Sequence, residues 1–198
     1  MKLILASASP RRAEVLRSAG FEFEVVSTNV DETLRQGEAP DAYVLRLAEA
    51  KARAAAARIT GEALVIGTDT TVVIDGMILG KPESAEGAQQ MLARFSGRTH
   101  EVLTGLAVIR LPGGDARILE ERTRVTFASM TQKEIEDYVA SGEPFDKAGG
   151  YAIQGLAGRF VTRIEGCYFN VVGLPLARLY GIMREFGWSD SASGNATS

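Results

Sequence analysis

One cysteine and one histidine in 198 residues leave little room for disulfide, zinc or histidine-based chemistry. Cys167 has no second cysteine to pair with and no Cys or His neighbour for a zinc site, so a structural place is expected of it. His100 stands without a second histidine, which argues against a catalytic dyad and for a structural role. Long apolar runs are missing too. Nothing approaches the roughly 20 residues of a membrane span, and the N-terminus lacks a signal-peptide pattern; a cytoplasmic protein with no membrane partner is the expectation. Nor is there a basic excess, the formal net charge being -3 at pH 7 with a sequence pI near 5.4. Dedicated nucleic-acid binders usually carry such an excess, so no stable nucleic-acid partner is expected and phosphate recognition should be local, as for a small nucleotide. The P-loop and the dinucleotide-binding glycine fingerprint are absent.

What is present reads as a globular α/β protein, 45% apolar and 24% charged. Its length suits one domain or two closely joined lobes with a real core. The opening stretch is the most informative. Leu3-Ile4-Leu5-Ala6 reads as a short buried strand that breaks at Ser7, and a helix restarts after Ser9-Pro10 and runs to about Ala19. Arg11 and Arg12 stand in its first turn, where the helix dipole favours acids over bases. Two readings are open. Backbone N–H groups, two Ser hydroxyls and two guanidinium groups form a phosphate seat, or Ser9 is an ordinary N-cap with Pro at N1 and two solvated arginines.

Further along, residues 21–26 alternate as a half-buried strand, and 27–40 read as a polar loop with Asp31-Glu32 at its centre. A helix over 41–59 places Val44, Leu47, Ala48 and Ala55 on one stripe, and Lys51 falls on that same stripe. Such a lysine either snorkels to water or points its ammonium into a cleft. Two strand runs, 63–66 and 71–74, flank Gly67-Thr68-Asp69-Thr70. A carboxylate so near the core needs a partner, a metal or a job, and Gly67 permits close approach to the backbone. Asp75-Gly76 is a two-residue hairpin turn that returns the chain to Gly80-Lys81-Pro82.

Ser84 caps a helix with Ala88, Met91, Leu92 and Phe95 on one face. Residues 99–109 and 117–127 form a long hairpin, and Thr131 to Glu134 form a capping box. Glycines between Pro144 and Gly158 suit turns or a backbone lying against a ligand, and Gln154 there has the donor and acceptor needed to read a base edge. A second hairpin is expected from 160–164 and 168–172, followed by a helix from Pro175. The domain then spans 1–187, with 188–198 a flexible tail.

Together these are two hydroxyls (Ser7, Ser9), four cations (Arg11, Arg12, Lys51, Lys81) and three carboxylates (Asp31, Glu32, Asp69). Carboxylates beside cations repel a polyphosphate unless a divalent metal mediates, and Mg²⁺ is held by one or two carboxylates plus phosphate oxygens. That set of parts suits metal-assisted hydrolysis of a phosphoanhydride.

Ser7-Ala8-Ser9-Pro10-Arg11-Arg12, Val44 to Ala48 with Lys51-Ala52, Gly67 to Thr70, Gly80 to Pro82, Ser96 to His100, and Asp146 to Tyr151 with Gln154-Gly155 resemble, in order and as a set, the Maf family. The resemblance covers about residues 1–186. It implies a nucleoside triphosphate pyrophosphatase that cleaves between the α and β phosphates. The implied fold is α/β and inosine triphosphatase-like, a mixed elongated twisted sheet flanked by helices with two lobes around a central cleft. By position, Asp69 matches the proton acceptor and Arg11, Thr70 and Gln154 the specificity positions. Ser7, Arg12, Lys51 and Lys81 would hold phosphates, and Glu32 with Asp69 a divalent cation, Mg²⁺ or Mn²⁺. Tyr151 to Gly155 and Thr99-His100 resemble the subfamily acting on dTTP and UTP, with modified uridine nucleotides as further candidates. The alternatives are another base preference such as 7-methyl-GTP, or a non-catalytic regulator of septum formation that senses nucleotide or nucleic acid. Family members often dimerise, so a homodimer is open.

Overall fold

The computed structural model describes residues 1–189. One seven-stranded mixed sheet runs in the order β2-β1-β3-β5-β6-β7, with β4 paired to β3 off that path. Its strands are β1 (Lys2–Leu5), β2 (Glu24–Val25), β3 (Ala63–Ile74), β4 (Met77–Leu79), β5 (Thr99–Leu111), β6 (Ala116–Phe127) and β7 (Val161–Glu165). The helices are α1 (Pro10–Ser18), α2 (Pro40–Ala56), α3 (Ala85–Phe95), α4 (Gln132–Ala140), α5 (Tyr168–Val172) and α6 (Leu176–Glu185). Among the described residues no helix is long and apolar enough to cross a membrane.

Side chains alternate across a strand, and β3 shows what each face buries. Its odd-numbered Ala63 and Val65 pack with Ala48, Ala52 and Ala55 of α2, and Val73 packs with Val44. The even-numbered face meets two separate cores. Leu64 and Ile66 join Leu5, Leu16, Leu179 and Met183 around α1 and α6, whereas Val72 and Ile74 join Leu92, Phe95, Ile135 and Tyr138 around α3 and α4. One sheet thus carries two lobes, and the small side chains of α2 let it lie flat across the back.

A gap in the sheet positions the site. β1 runs parallel to β3 only as far as Leu5 opposite Ile66, and β4 joins the same edge of β3 only from Leu79 opposite Val72. Residues 67–71 of β3 have no strand on that edge, which opens roughly 17 Å of backbone at ~3.3 Å per residue. The Asp75-Gly76 hairpin turn lies in the left-handed region at both residues, φ 52° and 73°, as a type I′ turn requires. Thr131 and Glu134 make both halves of the expected capping box.

Four local expectations need correction. The runs 63–66 and 71–74 are not two strands around a loop: β3 is continuous through Gly67-Thr68-Asp69-Thr70. Gly67 is there because α2 crosses it, and a methyl at its α-carbon would lie 2.6 Å from the Ala52 amide nitrogen. The close approach is made by a helix, not a ligand. Residues 168–172 form α5 and not a hairpin strand, because buried Asn170 donates its amide to the Val102 carbonyl and the Thr123 hydroxyl, and Gly173 closes the turn at φ 118°. Of 21–26, only Glu24–Val25 pairs as strand, and both residues are exposed. Trp188, placed with the tail in the sequence reading, packs against the α6 core. The rest of the expected tail, 190–198, lies outside the described residues.

Candidate active site

The gap in the sheet opens into a cleft of about 830 Å³ between the two lobes. Every residue singled out in the sequence as a site candidate lines it, except Asp31: Ser7, Ser9, Arg11, Arg12, Glu32, Lys51, Asp69, Thr70, Lys81 and Gln154. Because the edge of β3 is bare here, groups from both sheet faces reach one space.

On the α2 face, Asp69 and Lys51 are each only 8% exposed. Lys51 Nζ donates to Asp69 Oδ1 at 2.6 Å and pairs with Glu32 Oε1 at 2.6 Å. Of the two readings of a lysine on that stripe, the ammonium in the cleft is the observed one. Asp69 Oδ2 accepts no hydrogen bond from a described residue, and Asp69 lines the cleft. Glu32 comes from a segment without helix or strand, yet the segment is pinned. Arg46 clamps Glu38 with two hydrogen bonds of 2.6 and 2.7 Å and donates to the Thr33 carbonyl, while the Tyr43 hydroxyl donates to the carbonyl of Glu32. Arg46 holds the Glu38 carboxyl down at about 2, and Asp31 accepts from the Thr33 amide and does not line the cleft. Sequence reading gives Arg46 and Tyr43 no role; their i, i+3 spacing on α2 is the available signal.

On the other face, Arg12 supplies the second feature. Its Nε donates to the Gly173 carbonyl at 2.9 Å, Nη1 to Ser7 Oγ at 3.1 Å and Nη2 to Thr70 Oγ1 at 3.0 Å. All three acceptors are neutral, and Arg12 has no carboxylate partner among the described residues. Burial pushes its pKa down, and the field of Asp69 opposes that shift. A guanidinium has five N–H donors, so two remain for a ligand, and a buried cation lacking a counter-ion favours an anion. Ser9 does not cap α1 with its side chain; its own amide donates to Ser7 Oγ. The ordinary N-cap reading therefore fails for Ser9, and Ser7 becomes the organising hydroxyl. Thr70 Oγ1 also shares a 2.9 Å hydrogen bond with Thr104, which fixes it under Arg12.

Arg11, half-buried, pairs across the cleft with Asp146 at 3.4 Å. Lys81 is exposed on the opposite rim with no ion-pair partner among the described residues. Its loop is held where the Gly80 carbonyl accepts from the Gly149 amide at 2.9 Å. Lys147, which the sequence reading passed over, lines the cleft, and its Nζ donates to the Glu143 carbonyl at 2.7 Å and pairs with Asp146.

The far wall is neutral. Gln154 is exposed within a turn closed by the Gly155 amide donating to the Ala152 carbonyl at 3.1 Å. Just before it, the Tyr151 hydroxyl meets His100 Nε2 at 2.7 Å, inside a cluster with Phe95 and Phe127. His100 is 1% exposed, and burial pushes it down to about 3, so it is neutral and structural as expected.

Among the described residues no group of three or more His, Cys, Asp or Glu side chains forms a metal cluster. Glu32 and Asp69 nevertheless converge on one cation, the Lys51 ammonium. Two carboxylates aimed at one point suit a hard divalent ion that takes its other ligands from water and phosphate.

Comparison with known proteins agrees with this architecture. The sequence profile of the family described as Maf-like protein matches residues 2–186. A protein of Desulforamulus reducens named dTTP/UTP pyrophosphatase is 51% identical over 185 residues, 93% of this chain and 96% of that one. One of Moorella thermoacetica with the same name is 52% identical over 186 residues, 94% of this chain and 95% of the other. Among solved structures, the Staphylococcus aureus Ham1 protein matches with a TM-score of 0.51 at 13% identity, over 94% of this chain and 100% of that chain. At that identity the likeness speaks for the fold alone, a mixed α/β sheet flanked by helices.

Proposed function

The chain belongs to the Maf family, and on that premise we propose that it hydrolyses dTTP and UTP to the nucleoside monophosphate and pyrophosphate, acting on free nucleotides in the cytoplasm. The observation that carries the reading is the buried Arg12, a cation with no carboxylate partner, beside the Glu32–Lys51–Asp69 cluster in one cleft. Anion binding and proton transfer are thereby built into the same space. Relatives about half identical over nearly the whole chain and named dTTP/UTP pyrophosphatase support the substrate.

In this reading Asp69 takes the proton from the attacking water, with Oδ2 as the accepting atom because Lys51 holds Oδ1. Lys51 fixes the carboxylate and brings Glu32 beside it. Ser7, Arg12 and Lys81 bind the triphosphate, and Arg12 uses the two N–H groups that its three neutral partners leave. A divalent cation, Mg²⁺ or Mn²⁺, held by Glu32 and Asp69, would supply charge neutralisation at the phosphates. Thr70 acts on specificity by holding Arg12, Arg11 by its position opposite Asp146, and Gln154 by reading the base edge.

The test is pyrophosphate release from each of the common nucleoside triphosphates and 7-methyl-GTP, with Mg²⁺ and with chelator. dTTP and UTP should be cleaved fastest and only with metal. Release from none of them would reject the enzyme reading in favour of a binding role, and preference for 7-methyl-GTP would move the protein to the other subfamily.

A further inference from the structure

Gln154 sits on a turn that contains no regular secondary structure, yet both ends of the turn are fixed from behind. The leading end is held by Tyr151 against His100. The trailing end is held by Glu143, which lies outside the cleft lining. Its carboxylate accepts from the Leu156 amide at 2.9 Å, from the Ala157 amide at 3.5 Å and from the buried Tyr138 hydroxyl at 2.8 Å. It also stands directly behind Gly155, where a methyl would lie 2.6 Å from the carboxyl carbon. The Glu143 carbonyl meanwhile receives Lys147 Nζ. At the trailing end of the Gln154 turn, one side chain and its own backbone thus set the place of the turn and of a cleft lysine.

We propose that Glu143, braced by Tyr138, is a positioning residue for base selection: it holds Gln154 at the depth from which a pyrimidine base is read. This rests on the pyrophosphatase reading above. Three hydrogen bonds to one carboxylate fix a backbone more tightly than packing alone, and Gly155 is required because only a residue without a β-carbon lets the carboxylate come so close. Asp69, Lys51 and Arg12 lie on β3, α2 and α1, so proton transfer and the Arg12 anion site should not depend on Glu143.

Steady-state kinetics with UTP and with ATP on the unsubstituted protein, Glu143→Ala, Glu143→Gln and Tyr138→Phe test this. Glu143→Ala should raise KM for UTP and shrink the UTP:ATP ratio of kcat/KM by about tenfold, with kcat for UTP within about threefold. Glu143→Gln should recover part of that ratio, since its amide oxygen still accepts one hydrogen bond. Tyr138→Phe, which keeps the ring and removes one donor, should shift the ratio in the same direction by less, and it tests the clamp even if Glu143→Ala does not fold. An unchanged ratio in soluble, folded variants would overturn the proposal, as would an equal fall in kcat for both nucleotides, which marks a merely structural role. Absence of any preference in the unsubstituted protein is a separate result, because it removes the base-selective reading itself.

Discussion

The two walls of the cleft are built by different means. The charged wall stands on regular elements, with Asp69 and Thr70 on β3, Lys51 on α2 and Arg12 on α1, and its ion pairs and hydrogen bonds join those elements directly. The neutral wall is a turn, Ala152 to Gly155, whose position depends on side chains behind it: His100, Tyr138 and Glu143. Rigid elements give the geometry that proton transfer and phosphate binding demand. In the proposed reading, a braced turn lets base preference change without disturbing them, as loops on a fixed scaffold generally do.

The largest effect that would sharpen this contrast is expected on the charged wall. Asp69→Asn should lower kcat by about 10²–10⁴-fold, the usual contribution of a positioned acid–base group, measured as pyrophosphate release at saturating UTP. Next comes the support of that wall. Gly67→Ala puts a methyl against the backbone of α2, and overpacking of this kind costs about 1–3 kcal/mol, to be read from denaturant unfolding together with a loss of activity.

The neutral wall should respond to pH instead. His100 is held at about 3 when folded against an ordinary 6.5, because burial penalises its charged form. The unfolded chain therefore binds the extra proton first. The stabilisation is complete above pH 6.5 and is lost as pH falls towards 3, with a slope of up to about 1.4 kcal/mol per pH unit. His100→Phe should flatten that slope in unfolding measurements between pH 7 and 5. Gln154→Ala should narrow the preference for UTP over ATP by about tenfold while kcat for UTP stays close to its starting value. Smallest of all, Arg46→Ala should loosen the Glu32 segment and raise the Mg²⁺ concentration needed for half-maximal activity by about threefold, a typical loss for an outer support of a metal ligand being tenfold or more but Glu32 retaining its Lys51 contact.

The contrast between the walls also separates what could be read from the sequence from what could not. Elements with local signals were legible: the Asp75-Gly76 turn, the Thr131 capping box and the apolar stripe of α2 with Lys51 upon it. The residue types of the charged wall were legible for the same reason, because a lysine on a buried stripe and an aspartate between apolar runs are anomalies within a few residues. In sequence Gly67 reads as a break although β3 continues through it, since a glycine admitting a crossing helix looks the same as a glycine in a turn. Residues 168–172 are expected as the second strand of a hairpin, and the long-range hydrogen bonds of Asn170 accompany their folding as α5 instead. Partnerships across the chain were not legible at all. Arg11 and Asp146 are 135 positions apart, and Glu143 gains its meaning only when Tyr138 and Gly155 meet around it.

The division between the walls is tested most directly by the ratio of kcat/KM for UTP to that for ATP in Asp69→Asn, measured on its residual activity. The account predicts that the ratio stays at the unsubstituted value while both rates fall, because the Gln154 turn is braced independently of Asp69. A ratio that collapses along with the rate would contradict it.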